Sequence, residues 1–372
     1  MKIERIKPFL VGGCLLVRVY TDEGIVGNGE AGLWAHHRLV YEAIQELGDY
    51  YVGQDPTRME HHFQVLSRNT HFMGSVLSAA MSALDIAMWD ILGKSVGRPV
   101  HQLLGGACRD KVKVFANVSG NTLEQRAESA AENVERGFTS LRTTPFFPDC
   151  AGQNSSTVIK TAVEIVRAIR EAVGDEVDLG LEIHRNLAPH EAILLAGELA
   201  PFRILYYEDP LAPQSIQALR YVAQHVDIPM ATGERFYSLY QFRELIDSQT
   251  VSLIRPDLSL AGGYTQCKKI AALAESSFVG VFPHLMGSPV NTAAFLQFDA
   301  SIPNYVLHEN NRVEDHPLNE VIDGSLVFQS GYILVPDRPG IGVEIREDRL
   351  SRFPYEPRTI RGTFHADESV AH

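Results

Sequence analysis

Acidic side chains recur at a regular interval in the middle of the chain. Glu182, Glu208 and Glu234 are separated by 26 residues each (208 − 182 and 234 − 208), and each closes a short apolar run typical of a buried strand. One strand and one helix take up a similar length, so the spacing predicts three carboxylates side by side on adjacent strands. Such groups would repel one another and raise their pKa values unless a cation neutralised them.

Divalent metal binding is the chemistry that this spacing predicts. Oxygen ligands without cysteine suit Mg²⁺ better than Zn²⁺, with room left for water or substrate oxygens. The alternative for each glutamate alone is a strand-end carboxylate paired with an arginine of a helix or loop. Equal spacing across three units favours the metal interpretation over three separate ion pairs.

An aspartate and two histidines stand at the ends of apolar runs in the same series. His284 closes the apolar run after that of Asp257, so the carboxylate could hold the imidazole in one tautomer and stabilise its protonated form. This pair predicts a base that removes a proton near neutral pH, with a structural histidine as the alternative. His184 follows Glu182 by two residues, and period-two alternation predicts that both side chains point the same way. His184 is then a second metal ligand or a general acid.

A repeated strand and helix pattern must position these residues. From residue 111 to about 320, short apolar runs alternate with amphipathic helix patterns, which predicts an α/β fold with a parallel barrel. A doubly wound sheet fits five or six strands better than eight. The eight runs are VKVFANV, FTSLRTT, VDLGLEI, RILYYED, IPMATGE, VSLIRPD, FVGVFPH and NYVLHEN. One helix is expected from Ser156 to Gly174, with the glycine as its stop.

The two ends of the chain have a different pattern. Residues 1–110 begin with two strand-like runs joined at Asp22-Glu-Gly24 and continue with helices, which predicts an α+β module. The clearest helix contains ALDIAMWDILGK, and Gly93 is expected to end it. Residues 321–372 have the pattern of mixed turns and strands, and we expect this segment to pack on the N-terminal module.

Charge and composition limit the kinds of partner. The 372 residues include 33 Lys and Arg and 46 Asp and Glu, a net charge of 33 − 46 = −13, which is the wrong sign for a general nucleic-acid or anionic-membrane binder. The four cysteines have no CxxC spacing, and the first residues lack an apolar signal segment. We therefore expect a cytoplasmic enzyme with a small-molecule substrate.

Several of these segments together resemble the enolase superfamily, and within it the mandelate racemase-like group, over essentially the whole chain. They are TDEGIVGNGE, ALDIAMWDILGK, PVHQLLGG and the series of strand ends. The resemblance implies a modified TIM barrel, (β/α)7β, with a capping domain built from both termini. It also implies Mg²⁺ at Glu182, Glu208 and Glu234, a base made of His284 with Asp257, and a homo-oligomer. Glu309 is implied to contact the substrate carboxylate or the developing enolate.

The second strand distinguishes the subgroups of this family. Racemases and epimerases of the group carry Lys-x-Lys there, whereas this chain has Arg142 and Thr144. Arginine does not lose its proton and threonine is not basic, so this face lacks a base. One-sided proton removal fits elimination, and His184 resembles the histidine with which acid-sugar dehydratases protonate the departing hydroxyl. The Gly-Glu-Arg235 segment is similar to the galactonate type, which makes Arg235, like Arg142, a candidate substrate contact.

Two departures from the family bear on substrate choice. Glu182 stands where the family usually has Asp, and residues 68–74 replace a glycine-rich loop found in many dehydratases. The resemblance places two further segments over the barrel mouth, which makes their side chains candidate specificity residues. These are Trp34, His36, His37 and His71.

Three other functions remain open at the level of sequence. An epimerase or cycloisomerase of a sugar acid, lactone or anhydro acid would use the same base. A metallohydrolase barrel commonly carries His-x-His on its first strand, which VKVFANVSG lacks. A non-catalytic relative would keep the fold and bind a partner, but it would have no reason to retain the whole acidic and histidine set.

Overall fold

The N-terminal part of the chain is an antiparallel sheet covered by helices. A computed structural model describes residues 1–148, 150, 152–184, 187–310, 312–359, 362, 364 and 367–370. The sheet has the order β1 (Ile3–Val11), β2 (Cys14–Thr21) and β3 (Val26–Ala31). The helices that follow are α1 (His37–Tyr51), α2 (Met59–Asn69), α3 (Ser75–Ser95) and α4 (Val100–Leu103). The hairpin expected at Asp22-Glu-Gly24 is confirmed by the antiparallel pairing of β2 with β3.

Helix α3 lies close against the sheet because two glycines of β3 face it. A Cβ atom on Gly29 would lie 2.2 Å from the carbonyl oxygen of Ala83, and one on Gly27 would lie 2.1 Å from that of Ala87. By length and composition α3 is the one helix among the described residues that could cross a membrane. Most of it is buried inside the protein, which accounts for its apolar composition.

The expected stop of α3 at Gly93 is wrong, because the helix continues to Ser95. Packing explains this glycine. A Cβ atom on Gly93 would lie 2.7 Å from the Cα atom of Gly340, so the residue allows the C-terminal segment to pass close to the helix.

Eight parallel strands form the barrel that the sequence predicts. They are β4 (Lys111–Asn117), β5 (Ser140–Thr143), β6 (Asp178–Glu182), β7 (Tyr206–Glu208), β8 (Met230–Thr232), β9 (Leu253–Ile254), β10 (Gly280–Val281) and β11 (His308–Glu309). Each pairs with the next in parallel from β4 to β10. The ring is closed by β11, which pairs with β4, and by a bridge from Val281 to Tyr305.

One helix follows each barrel strand except the last, which gives the (β/α)7β form and confirms the predicted fold class. The helices are α5 (Leu123–Glu135), α6 (Ser155–Val173), α7 (Pro189–Leu199), α8 (Ile216–Ala223), α9 (Leu239–Asp247), α10 (Gly263–Glu275) and α11 (Pro289–Ser301). Gly174 ends α6 with a φ of 72°, as expected for a glycine stop. Large side chains such as Phe115, Tyr206 and Phe282 fill the barrel interior.

The C-terminal segment contacts both parts of the molecule. It forms β12 (Ile322–Asp323), β13 (Phe328–Gln329), β14 (Tyr332–Leu334), β15 (Glu344–Ile345) and α12 (Glu347–Leu350). β14 pairs with the start of β4, while Glu347 forms ion pairs of 2.7 Å with Lys7 and Arg18 of the N-terminal sheet. Domain boundaries at residues 110 and 320 stay a prediction.

The contact between β3 and α3 predicts a large effect of a single methyl group. We expect Gly29→Ala to lower the free energy of unfolding by about 2–3 kcal/mol, because the new Cβ collides with the backbone of α3. Gly48→Ala in α1 is the matched control. Its Cβ would meet no atom within 4 Å, so helix propensity should raise stability by about 0.5–1 kcal/mol. Urea unfolding curves measure both, and equal stabilities would contradict the packing argument.

Candidate active site

Parallel register brings the predicted carboxylates together at the C-terminal ends of the strands. Glu182 and Glu208 are register partners at the ends of β6 and β7. Glu234 lies two residues beyond β8, after Gly233, which has a φ of 127°. Each of the three glutamates offers one oxygen atom, and these atoms all lie within 4.8 Å of one another. The predicted grouping of the three side chains is therefore present.

These carboxylates are a fitting set of ligands for a hard cation. Burial raises the pKa of Glu182 to about 7, and the carboxylate of Asp209 adds to the effect. Burial also raises the pKa of Glu208 well above its usual value. Closely spaced buried oxygens whose negative charge is only partly compensated fit a divalent ion such as Mg²⁺.

Two arginines compensate part of this charge, so the ion-pair alternative is also realised in part. Arg142 forms an ion pair with Glu309 at 2.6 Å and lies 3.5 Å from Glu208 and 3.8 Å from Glu182. Arg255 is fully buried and contacts Glu208 at 2.5 Å and Glu309 at 2.8 Å. Its guanidinium also packs over the ring of Phe282.

Glu309 is held between both arginines. Burial alone would raise its pKa, but the guanidinium groups of Arg142 and Arg255 outweigh burial and hold the pKa well below its usual value. The backbone N–H of Leu285 also donates to Glu309, at 3.1 Å. The side chain is therefore an ionised carboxylate fixed by three contacts, and its predicted role toward the substrate stays a prediction.

His284 and Asp257 form the hydrogen-bonded pair that the sequence predicts. Nδ1 of His284 lies 2.8 Å from Oδ2 of Asp257, and Nε2 lies 3.7 Å from Oε2 of Glu234. Burial lowers the pKa of His284, but the carboxylates of Glu234 and Asp257 outweigh it and raise the pKa to about 9. Ser259 donates to the other oxygen of Asp257 from both its backbone N–H, at 2.8 Å, and its hydroxyl, at 2.6 Å.

His184 lies outside the strand from which its side-chain direction was predicted. β6 ends at Glu182, so strand alternation does not extend to His184, and a common direction of the two side chains stays a prediction. Its backbone has a φ of 54°, and its N–H donates to Oε1 of Glu182 at 2.7 Å. The side chain is exposed, with Nδ1 3.4 Å from the hydroxyl of Thr144. It lines a cavity of about 590 Å³ together with Arg142 and Asn117.

The candidate specificity residues lie in several environments. Trp34 stands in a loop after β3 whose neighbours Leu33 and Ala35 have positive φ values, and the guanidinium of Arg358 packs over its ring at 3.9 Å. His37 is buried, and burial lowers its pKa to about 4. Trp34, His37 and Asp257 line one cavity of about 590 Å³. Three further candidates, His36, His71 and Arg235, are exposed, and their roles stay predictions.

Sequence reasoning missed Arg255, Asp209 and Ser259. Arg255 precedes Asp257 by two residues in a strand end that the sequence does show, so its place at the C-terminal end of a barrel strand could have indicated it. Asp209 directly follows Glu208, is buried, and accepts a hydrogen bond from Thr232. Ser259 has no comparable signal, because serine is common in loops.

Family comparisons cover both parts of the chain. Residues 12–105 match the family described as mandelate racemase / muconate lactonizing enzyme, N-terminal domain. Residues 125–349 match the family described as enolase C-terminal domain-like. Together these two matches cover more than half of the chain.

Individual relatives agree with the families. D-galactonate dehydratase of Variovorax paradoxus (strain S110) is 34% identical, with 100% of both chains covered. The protein of the same name from Pectobacterium atrosepticum is 35% identical, covering 94% of this chain and 93% of the relative. Among solved structures, an enolase from Agrobacterium radiobacter with bound Na and L-malate has a TM-score of 0.93 and 30% identity, with 100% of both chains covered.

A second solved structure, a member of the enolase superfamily from Salmonella Typhimurium, has a TM-score of 0.89 at 30% identity, covering 95% of this chain and 98% of the other. The barrel, the strand-end carboxylates and these similarities agree, and the resemblance inferred from the sequence is confirmed. The chain belongs to the enolase superfamily, in the mandelate racemase and muconate lactonizing enzyme group that includes D-galactonate dehydratases.

Proposed function

We propose that the protein is a Mg²⁺-dependent dehydratase of an aldonic acid similar to galactonate, producing a 2-keto-3-deoxy sugar acid. The observation that carries this proposal is the position of the His284 imidazole beside a carboxylate of the glutamate cluster, with an arginine instead of a lysine at the end of β5. The names of the curated relatives support the substrate class. L-malate, bound by the Agrobacterium radiobacter protein, is likewise a hydroxy acid.

Proton removal from C2 is assigned to His284. The C2 hydrogen of a carboxylate is only weakly acidic, so removal requires a base and a positive field around the acid group. Asp257 holds Nδ1 at 2.8 Å, which leaves Nε2 as the atom that accepts the proton, and a cation at Glu234 would offset the carboxylate charge that raises the pKa of His284 and so favour its neutral form. When bound by Glu182, Glu208 and Glu234, Mg²⁺ would supply positive charge that stabilises the substrate carboxylate as C2 becomes electron-rich.

Departure of the C3 hydroxyl is assigned to His184. The C2–H electron pair forms the C2–C3 double bond, the C3–O bond breaks, and the hydroxyl takes a proton from His184 to leave as water. The enol then tautomerises to the 2-keto-3-deoxy acid. His184 lines the same cavity as Arg142, Asn117 and Thr144, which offer donors and acceptors for the other hydroxyl groups of a sugar acid.

The first prediction concerns the base. We expect His284→Asn to lose turnover by about 10³-fold or more, together with exchange of the C2 hydrogen into deuterated water. The substrate is first found by screening C5 and C6 aldonic and aldaric acids with Mg²⁺ for a 2-keto-3-deoxy product. Asparagine is of similar size, so Mg²⁺ affinity should be retained. Exchange at the wild-type rate in the variant would refute the assignment, and a product that keeps all its oxygen atoms would indicate an epimerase or cycloisomerase.

The second prediction separates acid from base. We expect His184→Asn to reduce dehydration by about 10²-fold, because the departing hydroxyl loses its proton donor, while C2 exchange is at least partly retained. His190→Asn is the matched control, since His190 is an exposed histidine on α7. Loss of exchange in parallel with dehydration would show that His184 is needed before the C–O bond breaks.

The third prediction concerns the metal. We expect Mg²⁺ to raise the Tm of the wild type, because binding to the folded state alone stabilises it, and chelation should abolish activity. Glu234→Gln should weaken Mg²⁺ binding by more than about tenfold in calorimetric titration, since it removes one charged ligand. Glu128→Gln on the exposed face of α5 is the control. Equal Mg²⁺ affinity in both variants would contradict the three-glutamate site.

A further inference from the structure

A carboxylate of the N-terminal sheet reaches into the barrel. Glu30, in β3, is 1% exposed. Its Oε1 accepts from the backbone N–H of Ser288 at 2.9 Å, and its Oε2 accepts from the Ser288 hydroxyl at 2.5 Å and the backbone N–H of Asn291 at 3.1 Å. These donors belong to the first turn of α11, where a negative charge is favourable. Glu30 thereby fixes the beginning of that helix.

Hydrogen bonds continue from this turn to the His284 and Asp257 pair. The side-chain amide of Asn291 donates to the hydroxyl of Ser259 at 3.2 Å. That hydroxyl donates to Oδ1 of Asp257 at 2.6 Å, and Oδ2 of Asp257 lies 2.8 Å from Nδ1 of His284. Because Asn291 and Ser259 are fully buried, water does not compete for these bonds.

Close packing at two glycines leaves these hydrogen-bonded residues little freedom to move. A Cβ atom on Gly287 would lie 2.4 Å from Oε1 of Glu30, and one on Gly32 would lie 2.8 Å from the hydroxyl of Ser259. The backbone N–H of Gly32 also donates to the carbonyl of Ser259 at 2.9 Å. The sheet therefore touches the chain of hydrogen bonds at both Glu30 and Ser259, and a displacement of β3 would disturb both contacts.

We propose that Glu30 is a positioning residue, which holds the imidazole of His284 in its reactive orientation through Ser288, Asn291, Ser259 and Asp257. This inference rests on the proposed role of His284 as the base. A base gains from being fixed because a small misplacement of the reacting atoms costs a large factor in rate. The N-terminal sheet then contributes to catalysis through the orientation of the base as well as by covering the barrel.

A second buried carboxylate provides a matched comparison. Asp85, in α3, is 3% exposed and accepts hydrogen bonds from the backbone N–H, at 3.2 Å, and the hydroxyl of Thr265 in α10. Like Glu30, it joins the N-terminal part to the first turn of a barrel helix. Its hydrogen bonds lead to Trp89, which donates to the same hydroxyl, and away from Asp257. Asp85→Asn therefore tests the loss of a buried carboxylate that is not part of the series of hydrogen bonds leading to His284.

The decisive measurement observes the histidine directly in the full chain with Mg²⁺ present. Nδ1 protons of histidines bonded to carboxylates resonate far downfield, and His308 with Asp299, at 2.6 Å, supplies an internal reference. His284→Asn identifies the His284 signal in ¹⁵N-histidine-labelled protein. We expect Glu30→Gln to shift or broaden that signal and to leave the His308 signal in place, whereas Asp85→Asn leaves both. An unchanged His284 signal in Glu30→Gln would overturn the proposal.

Kinetics provides a second readout. We expect Glu30→Gln to lower kcat about tenfold or more with KM within twofold, measured well below its Tm, while Asp85→Asn lowers Tm but keeps kcat within twofold. Asn291→Ala removes the side-chain amide in the middle of this series of hydrogen bonds and keeps the backbone N–H that donates to Glu30. It therefore tests the positioning role even if Glu30→Gln does not fold. Wild-type kcat in that variant counts against the proposal. If the wild type dehydrates no sugar acid, the proposed function fails, and the histidine signals still test the positioning role.

Discussion

Negative charge concentrated at the mouth of the barrel is the constraint on which the rest of the site depends. Among the residues that the structure describes, six carboxylates lie there beside the guanidinium groups of Arg142 and Arg255 and the imidazole of His284; they are Glu182, Glu208, Asp209, Glu234, Asp257 and Glu309. Burial withdraws the water that would screen their repulsion, which accounts for the raised pKa values of Glu182 and Glu208. Only a rigid frame keeps such groups together, and the parallel strands supply it, with Glu182, Glu208 and Glu309 as the last residues of β6, β7 and β11.

The positive charges at the site are distributed unevenly among its carboxylates. Arg142 and Arg255 neutralise Glu309 and compensate part of the charge of Glu208, so Glu182 and Glu234 carry more of the negative charge that an added cation would meet. Nε2 of His284 lies 3.7 Å from Oε2 of Glu234, whereas Arg142 and His184 line a cavity together with Asn117. Under the proposed assignment, a substrate bound at the cluster would have His284 beside Glu234 and His184 in the cavity that Arg142 also lines.

Much of this arrangement could be predicted from the sequence because each barrel strand has a recognisable pattern within a few consecutive residues. The apolar runs are short and most of them end near a charged side chain, so Glu182, Glu208, Glu234, Asp257 and His284 could all be placed by counting units. Contacts between distant segments could not be predicted in this way. The sequence does not show that Glu30 reaches Ser288, 258 residues away, or that Gly93 serves a contact with Gly340. The direction of the His184 side chain could not be derived from alternation, because the strand ends at Glu182 and alternation applies only within a strand.

Arg142 bears both on the charge balance of the site and on which residues could act as a base. In the Lys-x-Lys pattern of racemases and epimerases the second lysine is the base, and this chain has Thr144 at that position and Arg142 at the first. A guanidinium neutralises Glu309 and, with its pKa raised further by the surrounding carboxylates despite burial, stays protonated throughout the cycle. Proton transfer to C2 from the Arg142 side therefore has no donor or acceptor of suitable basicity at this residue. Neither Arg142 nor Thr144 can serve as a base, while the charge of Arg142 remains available to balance Glu309.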